Sequence, residues 1–119
     1  MSVLFLEYPK CSTCQKAKKW LDGHKVEYED RHIKERNPGK EELKVWYERS
    51  GQPLKKFFNT SGMLYRSLEL KDKLSGMSEE EQLQLLATDG MLVKRPLLVM
   101  EDRVLIGFKE KEWEEVFGE

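Results

Sequence analysis

A Cys-x-x-Cys pair at the start of a helix limits the folds and functions open to this chain more than any other feature of its sequence. Its two cysteines, Cys11 and Cys14, are separated by Ser12 and Thr13. The apolar run 3–6 precedes them, and a helical pattern over 12–22 begins directly after Cys11 and includes Cys14. A strand that leads through a short turn into a CxxC-bearing helix is typical of an α/β fold with a redox centre.

The position of each cysteine predicts its role. Only the thiolate of cysteine is a good nucleophile. Unpaired N–H groups and the positive end of the helix dipole favour an anion at a helix N-terminus. We therefore expect a lowered pKa for Cys11, with neighbouring Lys10 acting in the same direction. Cys14 lies one turn further on the same helix face, where it can resolve a mixed disulfide formed on Cys11.

Three other interpretations of the cysteine pair stay open. A zinc site usually needs four ligands, and the remaining soft ligands, His24 and His32, are separated by seven residues rather than the three to five of a zinc finger. A structural disulfide across so short a loop would remove little chain entropy and would stabilise little. The thiols could also be inert, because free cysteine is often a small core residue.

Length and charge limit the class of protein. A chain of 119 residues is within the range of one domain, and we expect a single domain over 1–119. The formal net charge of −1 gives no general attraction to nucleic acid or to an anionic membrane. The apolar run before Glu7 is too short for a signal peptide or a membrane span. We therefore expect a cytoplasmic protein, in which a CxxC pair is catalytic or sensing.

The first third of the chain predicts a parallel β-α-β unit. Residues 2–6 and 12–22 predict a buried strand and a helix. Residues 26–30 alternate apolar and polar side chains, which predicts a half-buried strand. Two strands joined through a helix in this way are parallel.

The rest of the chain completes the predicted fold. Helical patterns fill a stretch of about 38–90, including a capping box formed by Ser78 and Glu81. Residues 97–100 and 104–106 predict an antiparallel hairpin, and a last helix follows. The order β-α-β, helices, β-β-α predicts a thioredoxin-like α/β fold, with a mixed four-stranded sheet and a helical insertion between its halves.

Four segments spread over the chain carry a resemblance to a known family. They are Tyr-Pro-Lys-Cys-Ser-Thr-Cys at 8–14, Asp-Gly-Met-Leu at 89–92, Lys-Arg-Pro at 94–96 and Ile-Gly-Phe at 106–108. With these segments the chain resembles the ArsC/Spx family, which includes glutaredoxin-dependent arsenate reductases and Spx transcription regulators. The likeness is to the small arsenate reductase-like and Spx/MgsR-type members, and it covers essentially the whole chain.

The resemblance implies an oxyanion site around the first cysteine. One cysteine of the arsenate reductases attacks arsenate, and it corresponds to Cys11. An arginine before a cis-proline holds the oxyanion, and Arg95 and Pro96 match these positions. An arginine of the insertion matches Arg66. Arginine forks and helix N–H groups suit oxyanions, so the predicted anion-binding residues are Arg95, Arg66, Ser12 and Thr13.

Three positions depart from the arsenate reductase pattern. Those enzymes carry a histidine four residues before the nucleophile, where this chain has Glu7, and a carboxylate there would raise the Cys11 pKa. A third arginine, late in the chain, is matched by Gly107 or by a displaced Lys109. Cys14 occupies a serine-like position, whereas Spx proteins carry a CxxC pair and use it as a disulfide switch.

These observations predict a thiol-disulfide oxidoreductase of the arsenate reductase type. Cys11 would attack a small anionic or disulfide substrate, and Cys14 would then form a disulfide with Cys11. We expect a monomer with no bound cofactor or metal, reduced by glutathione, glutaredoxin or thioredoxin. The alternative is an Spx-type redox-sensing regulator that contacts the RNA polymerase α subunit, without direct contact to nucleic acid. A redox-inert scaffold is the third hypothesis.

Overall fold

A four-stranded mixed sheet forms the centre of the protein. The computed structural model describes residues 2–118. Its strands are β1 (Val3–Glu7), β2 (Glu29–His32), β3 (Leu97–Met100) and β4 (Val104–Ile106). Their spatial order is β2-β1-β3-β4, with β1 parallel to β2 and β3 antiparallel to both β1 and β4. This arrangement confirms the predicted mixed sheet.

Within residues 2–118, six helices surround the sheet. They are α1 (Ser12–Gly23), α2 (Lys40–Ser50), α3 (Met63–Ser67), α4 (Leu70–Lys73), α5 (Glu79–Leu86) and α6 (Glu110–Phe117), with 3-10 turns at Leu54–Phe57, Leu74–Gly76 and Gly90–Leu92. Helices α2 to α5 all lie in the predicted insertion, so the order is that of a thioredoxin-like fold. The predicted capping box begins α5: the Ser78 hydroxyl accepts from the Glu81 N–H, and the Glu81 carboxylate accepts from the Ser78 N–H. Within residues 2–118, no helix combines the length and the hydropathy that a membrane crossing requires.

Alternation along β1 divides the core into two layers. Val3 and Phe5 pack in one layer with side chains of α1 and α6, including the fully buried Trp113. Leu6 lies in the other layer, which the insertion covers. Successive side chains of a strand point to opposite faces, so β1 anchors both layers. Its carboxyl end, at Glu7, leads directly to the cysteines.

The second strand is displaced from its predicted position. The sequence pattern predicts a strand over 26–30, whereas β2 is Glu29–His32. Lys25 adopts a left-handed conformation with φ 58, and Val26 and Tyr28 pack against the α1 layer from the connecting loop. The apolar and polar alternation of this segment therefore reflects loop packing. The true strand is polar because it lies at the edge of the sheet, paired only with β1 among the described strands.

Candidate active site

Cys11 is the N-cap residue of α1, the helix that follows β1. Its backbone is extended, with φ −88 and ψ 123, and its carbonyl accepts the Gln15 N–H at 3.0 Å. Its own N–H donates to the Tyr8 carbonyl at 2.9 Å, which closes the turn between β1 and α1. The thiol is half-buried and reduced. It therefore lies at the N-terminus of α1, within reach of solvent.

The surroundings of Cys11 favour its thiolate. Burial alone would raise the pKa of the Cys11 thiol, but hydrogen bonds from the Cys14 backbone and thiol, the Thr13 N–H and the charge of Arg95 outweigh it. The net result is a pKa below the usual value, which confirms the predicted direction. The sequence predicted that the charge of Lys10 would help to lower this pKa. In the structure, helix N–H groups and the charge of Arg95 lower it. The pKa is lowered although Glu7 lies four residues before Cys11.

Cys14 differs from Cys11 both in its burial and in the direction of its pKa shift. Its side chain is fully buried, and its Sγ accepts the Tyr8 N–H at 3.5 Å. Burial, together with a smaller contribution from the neighbouring Cys11 sulfur, raises the pKa of Cys14 to about 12. A half-buried sulfur that favours the thiolate and a buried sulfur that favours the thiol thus lie one helical turn apart.

Cys11 opens into a cavity of 730 Å³ that is rich in positive charge. Among the described residues, four cations and the single carboxylate of Asp89 line it; the cations are Lys34, Lys94, Arg95 and Lys109. Its apolar lining is Met63, Leu64, Met91, Ile106 and Phe108. Cavities of about 300–1,000 Å³ hold small organic ligands. This cavity is therefore suited to an anionic molecule with an apolar part.

Arg95 is a cavity cation whose positive charge lowers the pKa of Cys11. The Arg95–Pro96 peptide bond is cis, as the family resemblance implies. The guanidinium lies 5.4 Å from the centre of the Tyr8 ring, and Nη1 donates to the Met91 carbonyl at 3.4 Å. Its Nε is buried and has no hydrogen-bond partner within residues 2–118. An anion in the cavity would provide an acceptor for this donor.

The structure brings together some of the predicted site residues and separates others. Thr13 and Arg95 line the cavity with Cys11, whereas Ser12 is an exposed first residue of α1 outside the described lining. Arg66 lies in a separate cavity with Thr60, Glu69 and Asp72, and its Nη2 donates to the Ser61 carbonyl at 3.3 Å. Helix α3 places Met63 and Leu64 in the Cys11 cavity and Arg66 in the separate one. The structure therefore does not place Arg66 with the predicted anion-binding residues.

Lys109 supplies a cation near the position of the missing late arginine. Gly107, the sequence match to that arginine, lines the cavity in a left-handed conformation with φ 77. Two residues later, Lys109 lines the same cavity. Lys34 and Lys94 were not predicted; Lys94 could have been, since it directly precedes Arg95 in the chain. Lys34 follows the displaced strand β2, so no local pattern indicated it.

Neither histidine is among the described residues that line the Cys11 cavity. His24 stacks on Trp20 with the ring centroids 3.8 Å apart. His32 accepts hydrogen bonds from the backbone N–H groups of Lys34 and Glu35 through Nδ1. Within residues 2–118, no group of three or more His, Cys, Asp or Glu side chains is arranged to hold a metal ion.

Glu7 is the one buried charged residue in the part of the chain that the structure describes. Its side chain is 6% exposed. The pKa of Glu7 is raised to about 7, mainly by burial and also by the hydrogen bond and negative charge of Asp30, while the charge of Lys18 opposes the rise. Lys18 also pairs with Asp30 at 3.1 Å. A carboxyl group that titrates near neutral pH therefore lies beside the active-site helix.

We expect Glu7 to make stability depend on pH. The folded state holds the Glu7 proton up to about pH 7, whereas the unfolded chain releases it near 4.5. Between these values the folded state binds more protons, so the free energy of unfolding falls as pH rises. Relative to Glu7→Gln, the wild type should lose about 2 kcal/mol between about pH 5 and about pH 8. Denaturant unfolding at both pH values measures this, with the exposed Glu27→Gln as control, and parallel pH profiles for wild type and Glu7→Gln would contradict it.

Comparison with known proteins places this geometry in one family. A profile of the ArsC family matches residues 6–116. The Bacillus subtilis protein YusI is 62% identical over 115 residues, covering 97% of this chain and 98% of YusI. The B. subtilis regulatory protein MgsR is 32% identical over 108 residues, covering 91% of this chain and 84% of MgsR.

Solved structures agree with the sequence relatives. An ArsC family related protein from Bacteroides fragilis superposes with a TM-score of 0.94, at 60% identity over 98% of both chains. An arsenate reductase from Vibrio cholerae gives a TM-score of 0.82 at 26% identity, covering 98% of this chain and 95% of its own. Because the family profile spans most of the chain and the cysteine pair begins α1 as the resemblance implies, this protein belongs to the ArsC family.

Proposed function

We propose that this protein is a thiol-disulfide oxidoreductase in which Cys11 attacks and Cys14 resolves. The observation that carries the proposal is the contrast between the two thiols. Cys11 is half-buried at the helix N-terminus with a lowered pKa. Cys14 is fully buried with a raised pKa. An accessible thiolate followed by a protected partner is the arrangement that disulfide exchange needs.

The reaction proceeds by two exchanges. The Cys11 thiolate attacks one sulfur of a substrate disulfide, forms a mixed disulfide and releases the other half of the substrate as a thiolate. Cys14, as a thiolate, then attacks the Cys11 sulfur. The Cys11–Cys14 disulfide forms and the second half of the substrate leaves with the electron pair of the broken bond. The substrate is reduced by two electrons, and glutathione, glutaredoxin or thioredoxin returns the enzyme to its dithiol form.

The cavity favours an anionic organic disulfide as the substrate. Four cationic side chains face one carboxylate, and Arg95 keeps a buried donor without a partner among the described residues. The volume of 730 Å³ is that of an organic ligand, and the apolar wall would contact its carbon skeleton. A glutathione adduct has this combination of charge and size. Arsenate is the second substrate to test, because the V. cholerae arsenate reductase shares the fold along its length.

Trapping the mixed disulfide tests the proposal. We expect Cys14→Ser, treated with glutathione disulfide, to accumulate a stable glutathione adduct on Cys11. The wild type should instead convert to the Cys11–Cys14 disulfide, since Cys14 displaces the glutathione. Intact-protein and peptide mass spectrometry distinguish these species, with Cys11→Ser as the control that forms neither. A Cys14→Ser protein that forms no adduct and keeps full activity would contradict the resolving role.

The likeness to MgsR favours a second candidate function. MgsR is a regulatory protein that aligns with 91% of this chain, so the same cysteine pair could control a protein contact. In this function the Cys11–Cys14 disulfide would alter binding to the RNA polymerase α subunit. A pull-down with the C-terminal domain of that subunit, in the reduced and oxidised states, tests it. Binding in neither state would remove this function.

A further inference from the structure

Asp89 and Arg95 bind the same residue of the cavity wall from opposite ends. Oδ1 of Asp89 accepts the Met91 N–H at 2.9 Å. Nη1 of Arg95 donates to the Met91 carbonyl at 3.4 Å. All three residues line the cavity that opens on Cys11. A carboxylate and a guanidinium are thereby held at the two ends of one backbone N–Cα–C=O unit.

Each of these two side chains has a polar atom that the contact with Met91 does not use. Oδ2 of Asp89 has no hydrogen-bond partner among the described residues, and Nε of Arg95 is buried and also has none there. Both side chains are half-buried, and no ion pair joins them in the described part of the chain. A ligand can therefore bind both residues without displacing Met91.

The arrangement matches the chemistry of an α-amino acid group. The ammonium nitrogen, α-carbon and carboxylate of such a group repeat the N–Cα–C=O skeleton of Met91, with similar bond lengths. An ammonium group donates to a carboxylate, and a carboxylate accepts from a guanidinium. An α-amino acid group that lies along Met91 would meet Asp89 with its nitrogen and Arg95 with its oxygens, in the order in which Met91 meets them.

We propose that Asp89 and Arg95 together bind an α-amino acid group of the disulfide substrate, Asp89 through the ammonium and Arg95 through the carboxylate. This inference rests on the proposed oxidoreductase function and narrows its substrate class. The site selects disulfides with a free α-amino acid group over disulfides that carry only carboxylates. Asp89 determines this specificity, since it is the one carboxylate among the described residues that line a cationic cavity.

The neighbouring cation Lys94 favours glutathione disulfide within this class. Lys94 is half-buried, and its Cε lies 3.3 Å from the position that a Cβ on Gly107 would occupy. The missing side chain of Gly107 thus leaves room for the Lys94 stem along the cavity wall. Each half of glutathione disulfide carries a second carboxylate, which Lys94 can bind. Each half of cystine has only the carboxylate assigned to Arg95.

S-methylglutathione and its N-acetyl derivative test the inference without a redox step. Neither ligand contains a disulfide, and acetylation removes the ammonium charge. We expect isothermal titration calorimetry to show about tenfold tighter binding of S-methylglutathione to the wild type, because the acetylated ligand lacks the charged contact with Asp89. Asp89→Asn should lose about tenfold in affinity for S-methylglutathione and stay within about twofold for the acetylated ligand.

Three variants separate ligand binding from the structure of the turn. Asp89→Asn keeps the backbone contact, since an amide oxygen still accepts the Met91 N–H. Asp72→Asn removes a carboxylate from the separate cavity that contains Arg66, and it should bind both ligands as the wild type does. Arg95→Met should weaken both ligands together, because both keep the carboxylate that this arginine binds.

The outcomes distinguish this inference from the function on which it rests. Equal binding of the two ligands by the wild type, or an unchanged preference in Asp89→Asn, would overturn the role of Asp89. If the preference is found but the wild type reduces no disulfide, the amino acid site stands and the oxidoreductase function fails. If the wild type reduces L-cystine with a higher kcat/KM than glutathione disulfide, the assignment of a second carboxylate to Lys94 is overturned.

Discussion

Replacing Cys11 with serine should lower disulfide reductase turnover by at least about 10³-fold, since a serine hydroxyl forms no significant anion at neutral pH and does not exchange with disulfides. The lowered pKa of Cys11 makes it the nucleophile, and the only other thiol, Cys14, is fully buried. Steady-state reduction of glutathione disulfide, coupled to a thioredoxin or glutaredoxin system, measures the loss.

Cys14→Ser is the matched control for this variant. It removes the same atom one helical turn away, yet it should still form the first mixed disulfide, whereas Cys11→Ser should not. Both substitutions exchange sulfur for oxygen with little change in size, and unfolding curves would establish that the fold is kept. Turnover by Cys11→Ser within tenfold of the wild type would show that another group is the nucleophile.

Arg95→Met should reduce kcat/KM for glutathione disulfide by about 50-fold, because a hydrogen bond between charged groups contributes about 1.5–3 kcal/mol. The buried Nε of Arg95 has no partner among the described residues, so an anionic substrate gains a contact there. Arg95 also lowers the pKa of Cys11. Its loss should therefore slow the reaction of Cys11 with every substrate, by a smaller factor than the loss of anion binding. Kinetics with the neutral hydroxyethyl disulfide isolate that second effect, which we expect to be only a few-fold.

Arg66→Met is the control for Arg95→Met, because it removes the same charge from a separate cavity. We expect kcat/KM for glutathione disulfide to stay within about twofold of the wild type, as for an exposed side chain without a special contact. Equal losses for the anionic and the neutral disulfide in Arg95→Met would refute anion recognition by this arginine. A large loss in Arg66→Met would restore Arg66 to the anion site that the family resemblance implies.

Local patterns were sufficient to predict most of the fold. The strand–turn–helix around Cys11, the capping box of Ser78 and Glu81, and the final hairpin each depend on neighbours within a few residues. Hydrophobic periodicity and capping operate at that range. The strand predicted at 26–30 overlaps β2 only at residues 29 and 30, because β2 is an edge strand whose polar residues carry no alternating pattern. Its identity comes from pairing with β1, which is a contact distant in sequence.

The sequence by itself determined the cysteine pair at a helix N-terminus, the direction of the Cys11 pKa and the arginine before the cis-proline. The cysteine pair and its helix N–H groups follow from residue type and from contacts within one turn of the chain. The cis-proline follows from the family resemblance, and the contribution of Arg95 to the Cys11 pKa depends on tertiary structure. The tertiary structure alone decided that Glu7 is buried, that Lys34 reaches the cavity and that Arg66 does not. Burial and electrostatic surroundings depend on which distant segments pack together, because desolvation and Coulomb interactions act through space and not along the chain.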